Sequence, residues 1–311
     1  MCGISGAISK NKLDDKVISS TLSSLDHRGP DASGFMAFDL PSQNYCYLLH
    51  NRLSIIDLDK RSDQPINFNG LSLIYNGEIY NYIELREELV KLGYSFSTDG
   101  DGEVFIKLID CFGDSAYEKI NGMWSAAVFD KKLNILTLSR DMFGEKPLYY
   151  FVSDENFYFA SEIKALESIT AKKFKFNYDK IKEFLILGYK FMFKNPEEFF
   201  LGVKRVRNGN LLRINEKLEI NSKKFFTIEK HKNPEKFHDS KLKVRDLITQ
   251  SLDLRMRSDV PIAFCLSGGI DSNTLVSTAK RILGKDITTF TIVSKDKRYD
   301  EEEYVNNVSK D

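Results

Sequence analysis

A cysteine stands directly after the first methionine, in the opening sequence MCGISG. The initiator methionine is usually removed when the second residue is small. Removal of Met1 would give Cys2 a free α-amine. Such an amine titrates at about pH 7.7–8.0 and can take the thiol proton near neutrality. One residue would then supply both the nucleophile and its base. An incidental cysteine is the alternative, so further segments must decide.

Charged and amide side chains recur in short segments beside predicted strands. These segments are HRGPD (27–31), NRLSIID (51–57), YNGEIYN (75–81) and DGEV (101–104). Each candidate residue has an alternative without function. Arg52 could form a surface ion pair, Asp101 could belong to a turn, and Asn76-Gly77 could be a hairpin turn. Their occurrence together with Cys2 favours function.

A second chemical motif, LSGGIDS, occupies residues 266–272 between a predicted buried strand and a predicted helix. Successive small residues expose backbone N–H groups, and a helix N-terminus favours an anion. The hydroxyls of Ser267 and Ser272 add donors. The motif lacks the GK[ST] of a Walker loop, so transfer of a γ-phosphate is not indicated.

Short apolar runs between turn residues predict the strands that position the first group of residues. The runs cover 2–8, 45–56, 71–75, 123–129, 135–139, 147–152 and 157–160. Helical periodicity or end signals mark 14–25, 81–92 and 103–112. Strand pairs joined by short turns indicate antiparallel sheets covered by helices, which is an α+β layered domain over residues 1–215.

Residues 216–240 are rich in lysine and have no sustained period, which predicts a linker. Beyond it, a helix (241–257), a strand (261–266), a helix (273–283) and a strand (287–293) indicate the opening of an α/β parallel sheet. Two strands cannot bury both faces of such a sheet, so residues 241–311 are expected to be an incomplete domain.

The charge balance excludes several classes of partner. Lys+Arg and Asp+Glu both number 45 in 311 residues, and no apolar run is long enough to span a membrane. We therefore expect small-molecule substrates, no nucleic acid, no membrane and a cytoplasmic protein. Four cysteines and four histidines without metal-ligand spacing argue against a structural zinc site.

The ordered motifs resemble the class II glutamine amidotransferases, and within them the glutamine-hydrolysing asparagine synthetases. CGISG, HRGPD, RLSIID, NGEIYN, DGEV, RDMFGEKPLYY and FASEIKAL occur in the order of that family. The resemblance implies an N-terminal αββα sandwich of the N-terminal-nucleophile hydrolases. It also implies that an ATP-pyrophosphatase-like parallel-sheet domain follows.

The resemblance assigns roles in binding and hydrolysing glutamine. Arg52 would bind the α-carboxylate through its guanidinium fork. Asp101, assisted by Glu78, would bind the α-ammonium, and backbone groups near Ile55 and Ile56 would line the pocket. Asn76 and Gly77 would form the oxyanion hole beside Cys2.

The resemblance also implies a nucleotide site. In that reading SGGIDS holds the pyrophosphate of ATP with Ser267, Gly268, Gly269, Asp271 and Ser272, and Asp271 helps to hold Mg²⁺. Leu266 and Ile292 would contact the nucleotide. ATP with Mg²⁺ is then a substrate complex, and no organic prosthetic group is expected.

The acceptor for the ammonia would be aspartate, activated by ATP to give asparagine. Relatives that amidate another carboxylate, on a cell-envelope sugar or peptide, are the alternative, and a glutaminase-only fragment is a third reading. A further phosphate-binding stretch and the aspartate-binding residues would lie beyond residue 311. The number of subunits is left open, with a homodimer as one arrangement.

Overall fold

The computed structural model describes residues 1–189, 197–228, 236–296, 298 and 300–308. The chain divides into two compact units, Met1–Ile228 and Glu229–Asp311. The first unit contains two antiparallel sheets, and the second contains a short parallel pair of strands.

Within the described residues, the first sheet has six strands, and every neighbouring pair is antiparallel. Four of its strands overlap apolar runs that the sequence predicts as strands, whereas the two at its edges, 32–39 and 203–205, were not predicted. In spatial order the six strands are β10 (Val203–Arg205), β8 (Tyr149–Val152), β9 (Asn156–Ala160), β1 (Gly3–Ser9), β3 (Tyr45–Arg52) and β2 (Ala32–Asp39).

The second sheet also has six antiparallel strands in the part of the chain that the structure describes. They are, in spatial order, β12 (Ile220–Lys224), β11 (Asn210–Asn215), β7 (Ile135–Arg140), β6 (Gly122–Asp130), β5 (Leu71–Ile79) and β4 (Ile66–Phe68).

The two sheets pack face to face. Ile4 and Ile8 from β1 share one buried cluster with Ile74 from β5 and Phe129 from β6. Because successive side chains of a strand point to opposite faces, the residues between these face the helices instead. Burial of both faces of both sheets supplies most of the apolar core of this unit.

Helices cover the two outer faces. On the first sheet these are α1 (Asp15–Ser23) and α5 (Ile163–Thr170), and on the second they are α2 (Tyr82–Lys91), α3 (Asp101–Phe112) and α4 (Ala116–Lys119). A further helix, α6 (Tyr178–Leu187), follows α5. The resulting four-layer order confirms the predicted αββα sandwich.

The second unit begins with the long helix α7 (Phe237–Arg255). Strands β13 (Ala263–Cys265) and β14 (Thr288–Phe290) pair in parallel, connected by α8 (Ile270–Ser277) and a π-helical turn. A last helix, α9 (Glu302–Val308), ends the described chain. This β-α-β arrangement is the parallel-sheet opening that the sequence predicts.

Two sequence predictions need correction. The predicted strand 45–56 ends early, because β3 stops at Arg52 and the following carbonyls turn toward that side chain. Part of the predicted linker 216–240 is the strand Ile220–Lys224, while residues 229–235 lie outside the described residues. This strand is an exposed edge with two lysines, so it lacks the apolar alternation of a buried strand.

Candidate active site

Cys2 directly precedes β1, a strand in the interior of the first sheet. Its Sγ accepts a hydrogen bond from the Leu53 backbone N–H at 3.3 Å and lies 3.6 Å from the Leu53 carbonyl oxygen. Burial raises the pKa of the Cys2 thiol, and the charges of Glu78 and Asp101 act in the same direction. A thiol in this setting needs a base before it can act as a nucleophile.

Arg28 holds the backbone of Cys2 in place. Its Nε donates to the Cys2 carbonyl oxygen at 2.9 Å, and its Nη1 donates to Glu162 at 2.8 Å. The neighbouring Gly29 is required by close packing, since a Cβ there would lie 2.3 Å from the Asn51 carbonyl oxygen. The motif HRGPD signals this turn, but its pattern does not reveal the bond from Arg28 to the nucleophile.

Arg52 is buried and organises the loop that follows β3. Its Nη1 donates to Asp63 Oδ1 at 2.8 Å and to the Asp59 carbonyl oxygen at 2.9 Å, while its Nη2 donates to the Asp57 carbonyl oxygen. The loop therefore wraps around the guanidinium instead of extending the strand. The surface ion pair considered from the sequence is wrong, because the Arg52 side chain is buried.

Asp57 connects this loop to the segment before α3. Its carboxylate accepts hydrogen bonds from the Ser62 hydroxyl at 2.7 Å and from the Asp99 backbone N–H at 2.8 Å. Burial alone would raise the pKa of Asp57, but these hydrogen bonds lower it to about 2. The side chain is thus ionised at neutral pH and ties together two loops that border the site.

Asp101 is the first residue of α3, and it is buried. The Tyr75 hydroxyl donates to its Oδ1, and the Ile79 backbone N–H donates to its Oδ2 at 2.9 Å. Burial raises the pKa of Asp101, while these two hydrogen bonds act to lower it. Its helical position excludes the turn considered from the sequence.

Glu78 lies on β5 and lines the same cavity as Asp101. Burial and the charge of Asp101 raise the pKa of Glu78 to about 8, and Lys146 acts in the opposite direction. Two neighbouring carboxyl groups in a poorly solvated cavity favour a bound cation, which would stabilise their ionised forms.

Asn76 and Gly77 are inside β5, opposite Ser125 and Trp124 of β6. The hairpin turn considered for this dipeptide is therefore excluded. A Cβ at Gly77 would lie 2.1 Å from the Met123 carbonyl oxygen, so no side chain fits there. The Asn76 side chain is buried, and neither its Oδ1 nor its Nδ2 bonds to a residue that the structure describes.

These residues meet at one cavity. Of the predicted glutamine-site residues, those that line it are Cys2, Arg52, Ile55, Ile56, Gly77, Glu78 and Asp101. Asn76 is not among the lining residues and lies buried directly before Gly77. The remaining lining residues are Leu53, Ser62, Gln64, Ile66, Tyr75, Gly100, Gly102 and Glu103.

In the second unit, the predicted phosphate loop joins β13 to α8. Gly268 has φ +74°, a backbone conformation that favours glycine. The hydroxyls of Ser267 and Ser272 lie 3.2 Å apart, and Asn273 Nδ2 donates to the Gly268 carbonyl oxygen at 2.9 Å. The loop thus brings two hydroxyls and the start of a helix together.

The other predicted nucleotide contacts flank this loop. Asp271 is exposed in the first turn of α8, whose N-cap is Gly269 without a side-chain cap bond. Leu266 is buried after β13 and its N–H donates to the Phe290 carbonyl oxygen at 2.9 Å, whereas Ile292 after β14 is 93% exposed. Both follow the carboxyl ends of parallel strands, where ligands bind in open α/β sheets.

Asp271 cannot form a metal site by itself. In the described parts of the chain, no group of three or more His, Cys, Asp or Glu side chains could hold a metal ion. Mg²⁺ at this loop would therefore take most of its ligands from ATP phosphate oxygens and water. This donor set fits Mg²⁺ that arrives as part of the substrate, and the role of Asp271 stays a prediction.

A family model described as a glutamine amidotransferase domain matches residues 1–226. The chain belongs to the glutamine amidotransferase family. A second model, described as asparagine synthase, matches residues 243–311 of the amidotransferase. The first match covers the cavity around Cys2, and the second covers the loop before α8.

Two curated proteins illustrate the relationship. The amidotransferase is 34% identical over 301 residues to asparagine synthetase [glutamine-hydrolyzing] 1 of Bacillus subtilis, covering 94% of this chain and 46% of that protein. It is 32% identical over 330 residues to putative asparagine synthetase [glutamine-hydrolyzing] 2 of Methanocaldococcus jannaschii, covering 98% and 62%. The chain thus spans about half the length of the curated relatives that it matches.

Solved structures support the fold. Glutamine phosphoribosylpyrophosphate amidotransferase from B. subtilis aligns with a TM-score of 0.54 and 17% identity, covering 95% of this chain and 67% of that chain. A structure titled as the allosteric regulatory enzyme of purine biosynthesis aligns with a TM-score of 0.55 and 16% identity, covering 95% and 66%. At this identity the likeness concerns the fold alone.

One lining residue has a role that the sequence does not indicate. Tyr75 ends an apolar run that predicts a strand, yet its hydroxyl donates a hydrogen bond to Asp101 Oδ1. An aromatic residue at a buried strand position normally indicates core, so the sequence carries no separate signal for this contact.

Among the described residues, no helix is both long and apolar enough to cross a membrane.

Proposed function

We propose that this amidotransferase hydrolyses glutamine to glutamate and ammonia with Cys2 as the nucleophile. The observation that carries the proposal is that one cavity is lined by a thiol, a guanidinium and three carboxyl groups, those of Glu78, Asp101 and Glu103. Glutamine presents the complementary groups, namely a side-chain amide, an α-carboxylate and an α-ammonium.

Arg52 is proposed to bind the α-carboxylate of glutamine. Its guanidinium is buried at the cavity wall and already bonds the carboxylate of Asp63 at 2.8 Å. A planar guanidinium can bond two acceptors at once, so the substrate carboxylate would join or replace Asp63. Asp101 and Glu78 would bind the α-ammonium, and Ile55 and Ile56 would contact the substrate from the loop.

The chemistry then requires a base, a nucleophile and an oxyanion site. After removal of Met1, the α-amine of Cys2 would accept the thiol proton, and Sγ would attack the amide carbon. The Asn76 amide and the Gly77 N–H would stabilise the oxyanion. The amide nitrogen takes up that proton from the α-ammonium of Cys2 and leaves as ammonia. Water then attacks the thioester, which releases glutamate and regenerates the thiol.

The test measures glutamate release and the intact mass of the active protein. Cys2→Ala should lower the hydrolysis rate by at least about a thousandfold, because the covalent step is lost. Active protein should begin at Cys2, since a retained methionine would block the base. Cys265→Ala, which removes an exposed thiol in the second unit, is the matched control and should keep the wild-type rate.

Hydrolysis by a folded Cys2→Ala variant at more than about a thousandth of the wild-type rate would refute the role of Cys2 as the nucleophile. Full activity in protein that still carries Met1 would refute the role of the α-amine. Either result is readable by mass spectrometry on the same sample that is assayed.

For a protein that contains this chain and has the full length of these relatives, we infer ATP-dependent amidation of aspartate to asparagine. The support is the match of residues 243–311 to the asparagine synthase model and the loop at Ser267–Ser272. ATP with Mg²⁺ and aspartate would be substrates, and four free cysteines fit a reducing cytoplasm. Asparagine formed from glutamine, aspartate and ATP, detected by mass spectrometry, would support this acceptor. Amidation of a sugar or peptide carboxylate instead would favour the second candidate.

A further inference from the structure

Tyr75 lies on β5, and its ring and its hydroxyl make different contacts. The ring is buried among apolar side chains and packs edge-on against Phe105, with ring centroids 5.8 Å apart and an angle of 86°. The hydroxyl lies at the other end of the side chain, at the cavity, where it donates to Asp101 Oδ1.

Both carboxylate oxygens of Asp101 are bonded by β5. Tyr75 donates to one oxygen through its hydroxyl, and Ile79 donates to the other through its backbone N–H at 2.9 Å. Two hydrogen bonds from one strand fix the plane of the carboxylate. The same strand carries Gly77 and Glu78, so Asp101 is aligned with the rest of the proposed site although it belongs to α3.

The phenol is a permanent donor in this position. Burial and the neighbouring charges of Asp101 and Glu78 raise the pKa of Tyr75 well above its usual value, so the hydroxyl keeps its proton. A hydrogen bond to a carboxylate favours the ionised form of that carboxylate. Tyr75 therefore opposes the effect of burial on Asp101.

We propose that Tyr75 is a positioning residue that orients the Asp101 carboxylate toward the α-ammonium of glutamine, so that it sets the preference for substrates with an α-amino group. This inference rests on the proposed function of the cavity. The hydroxyl itself does not contact the reacting atoms. Its effect passes through Asp101 and is specific to the ammonium end of the substrate.

Tyr75→Phe isolates the hydroxyl, because phenylalanine keeps the ring that packs on Phe105. The experiment compares glutamine with the monoamide of glutaric acid, which has the same amide and carboxylate but no α-amino group. For glutamine, KM should rise about tenfold, as expected for loss of one hydrogen bond to a buried charged group, while kcat changes little. For the monoamide, kcat/KM should stay at the wild-type value.

Two further variants control the comparison. Tyr94→Phe removes a similar bond outside the cavity, since the Tyr94 hydroxyl donates to Asp110 Oδ2 at 2.8 Å. It should leave the preference for glutamine unchanged. In an Asp101→Asn background, Tyr75→Phe should add no further loss for glutamine, because the charge through which the hydroxyl acts is gone.

An equal loss on both substrates in Tyr75→Phe would overturn the inference and leave the residue with a structural role. An unchanged KM for glutamine would overturn it as well. Both results leave wild-type hydrolysis intact, which separates them from failure of the proposed function. Absence of glutamine hydrolysis by the wild type would overturn both proposals together.

Discussion

At the scale of a single residue, Glu78 has a pKa far from that of an ordinary glutamate. Burial and the nearby carboxylate of Asp101 raise its pKa to about 8. At neutral pH the side chain is therefore mostly protonated, and a bound ammonium would shift it toward the ionised form. The poorly solvated environment that favours binding of a cationic substrate group destabilises the folded protein when no substrate is bound.

We predict that Glu78→Gln stabilises the folded protein at alkaline pH. Between pH 4.5 and about 8 the folded state binds more protons at Glu78 than the unfolded state, so stability falls as pH rises through this window. Glutamine has no such proton to lose. The melting temperature of the variant should equal that of the wild type near pH 5 and exceed it near pH 9, while KM for glutamine rises.

Thermal unfolding at both pH values checks this prediction, with Glu87→Gln on the solvent side of α2 as a control. A difference in melting temperature that is the same at pH 5 and pH 9 would contradict the raised pKa. The prediction illustrates the general conflict between stability and function at binding sites.

Motifs in the sequence identified the lining residues to which the proposed chemistry assigns a role, because chemistry restricts residue type at such positions. Arg28 and Tyr75 were missed for physical reasons. Arg28 acts on the Cys2 carbonyl oxygen, 26 positions away in the chain. Tyr75 has the size and burial of a core residue, and only the three-dimensional structure reveals that its hydroxyl reaches a carboxylate.

At the scale of elements, a buried ion pair at the start of α3 fixes the loop before Asp101. Glu103 accepts hydrogen bonds from the Ser97 N–H at 3.0 Å, from the Thr98 N–H at 2.7 Å and from Lys107 Nζ at 2.5 Å. Burial alone would raise the pKa of Glu103, but the bonds from Lys107, Thr98 and Ser97 lower it to about 2. The loop is thus closed onto the helix that carries Asp101.

We predict that Glu103→Gln lowers the free energy of unfolding by about 2 kcal/mol at pH 7, because a buried lysine loses its charged partner. The stabilisation from Glu103 is present above its unfolded pKa, about 4.3, and disappears as pH falls toward 2. Denaturant unfolding of both proteins at pH 7 and pH 3 measures this. A stability difference that grows on acidification would contradict it.

The elements that the sequence predicted well are strands with continuous buried runs, such as β1 and β6. The two errors have different causes. The isoleucines at 55 and 56 indicate strand, but the Arg52 guanidinium draws the backbone carbonyls of that segment into a loop. The strand Ile220–Lys224 buries little surface, so its pattern indicates a linker.

At the scale of the whole molecule, the two proposed chemistries belong to different compact units. Cys2 and its cavity lie in Met1–Ile228, and the loop with Asp271 lies in Glu229–Asp311. Each unit matches a different family model. We therefore expect substitutions in one unit to spare the partial reaction that is assigned to the other.

Asp271 offers the sharpest test of this separation. Asp271 lies near the start of a helix, where an acidic side chain can either cap the helix or assist Mg²⁺-ATP. In the structure the N-cap of α8 is Gly269, and Asp271 is exposed in the first turn. Its removal should thus cost only its interaction with the helix dipole, about 0.5 kcal/mol.

We predict that Asp271→Asn, in a protein that contains this chain and has the full length of its relatives, abolishes aspartate-dependent pyrophosphate release from ATP and leaves glutamine hydrolysis at the wild-type rate. A carboxylate beside phosphates is tolerable only with a cation between them, and asparagine cannot supply that charge. Asp286→Asn, which changes an exposed carboxylate outside the loop, is the control and should retain both activities. Pyrophosphate release at the wild-type rate in Asp271→Asn would remove Asp271 from the nucleotide site. Loss of that release would not be explained by unfolding, because the expected loss of stability is only about 0.5 kcal/mol.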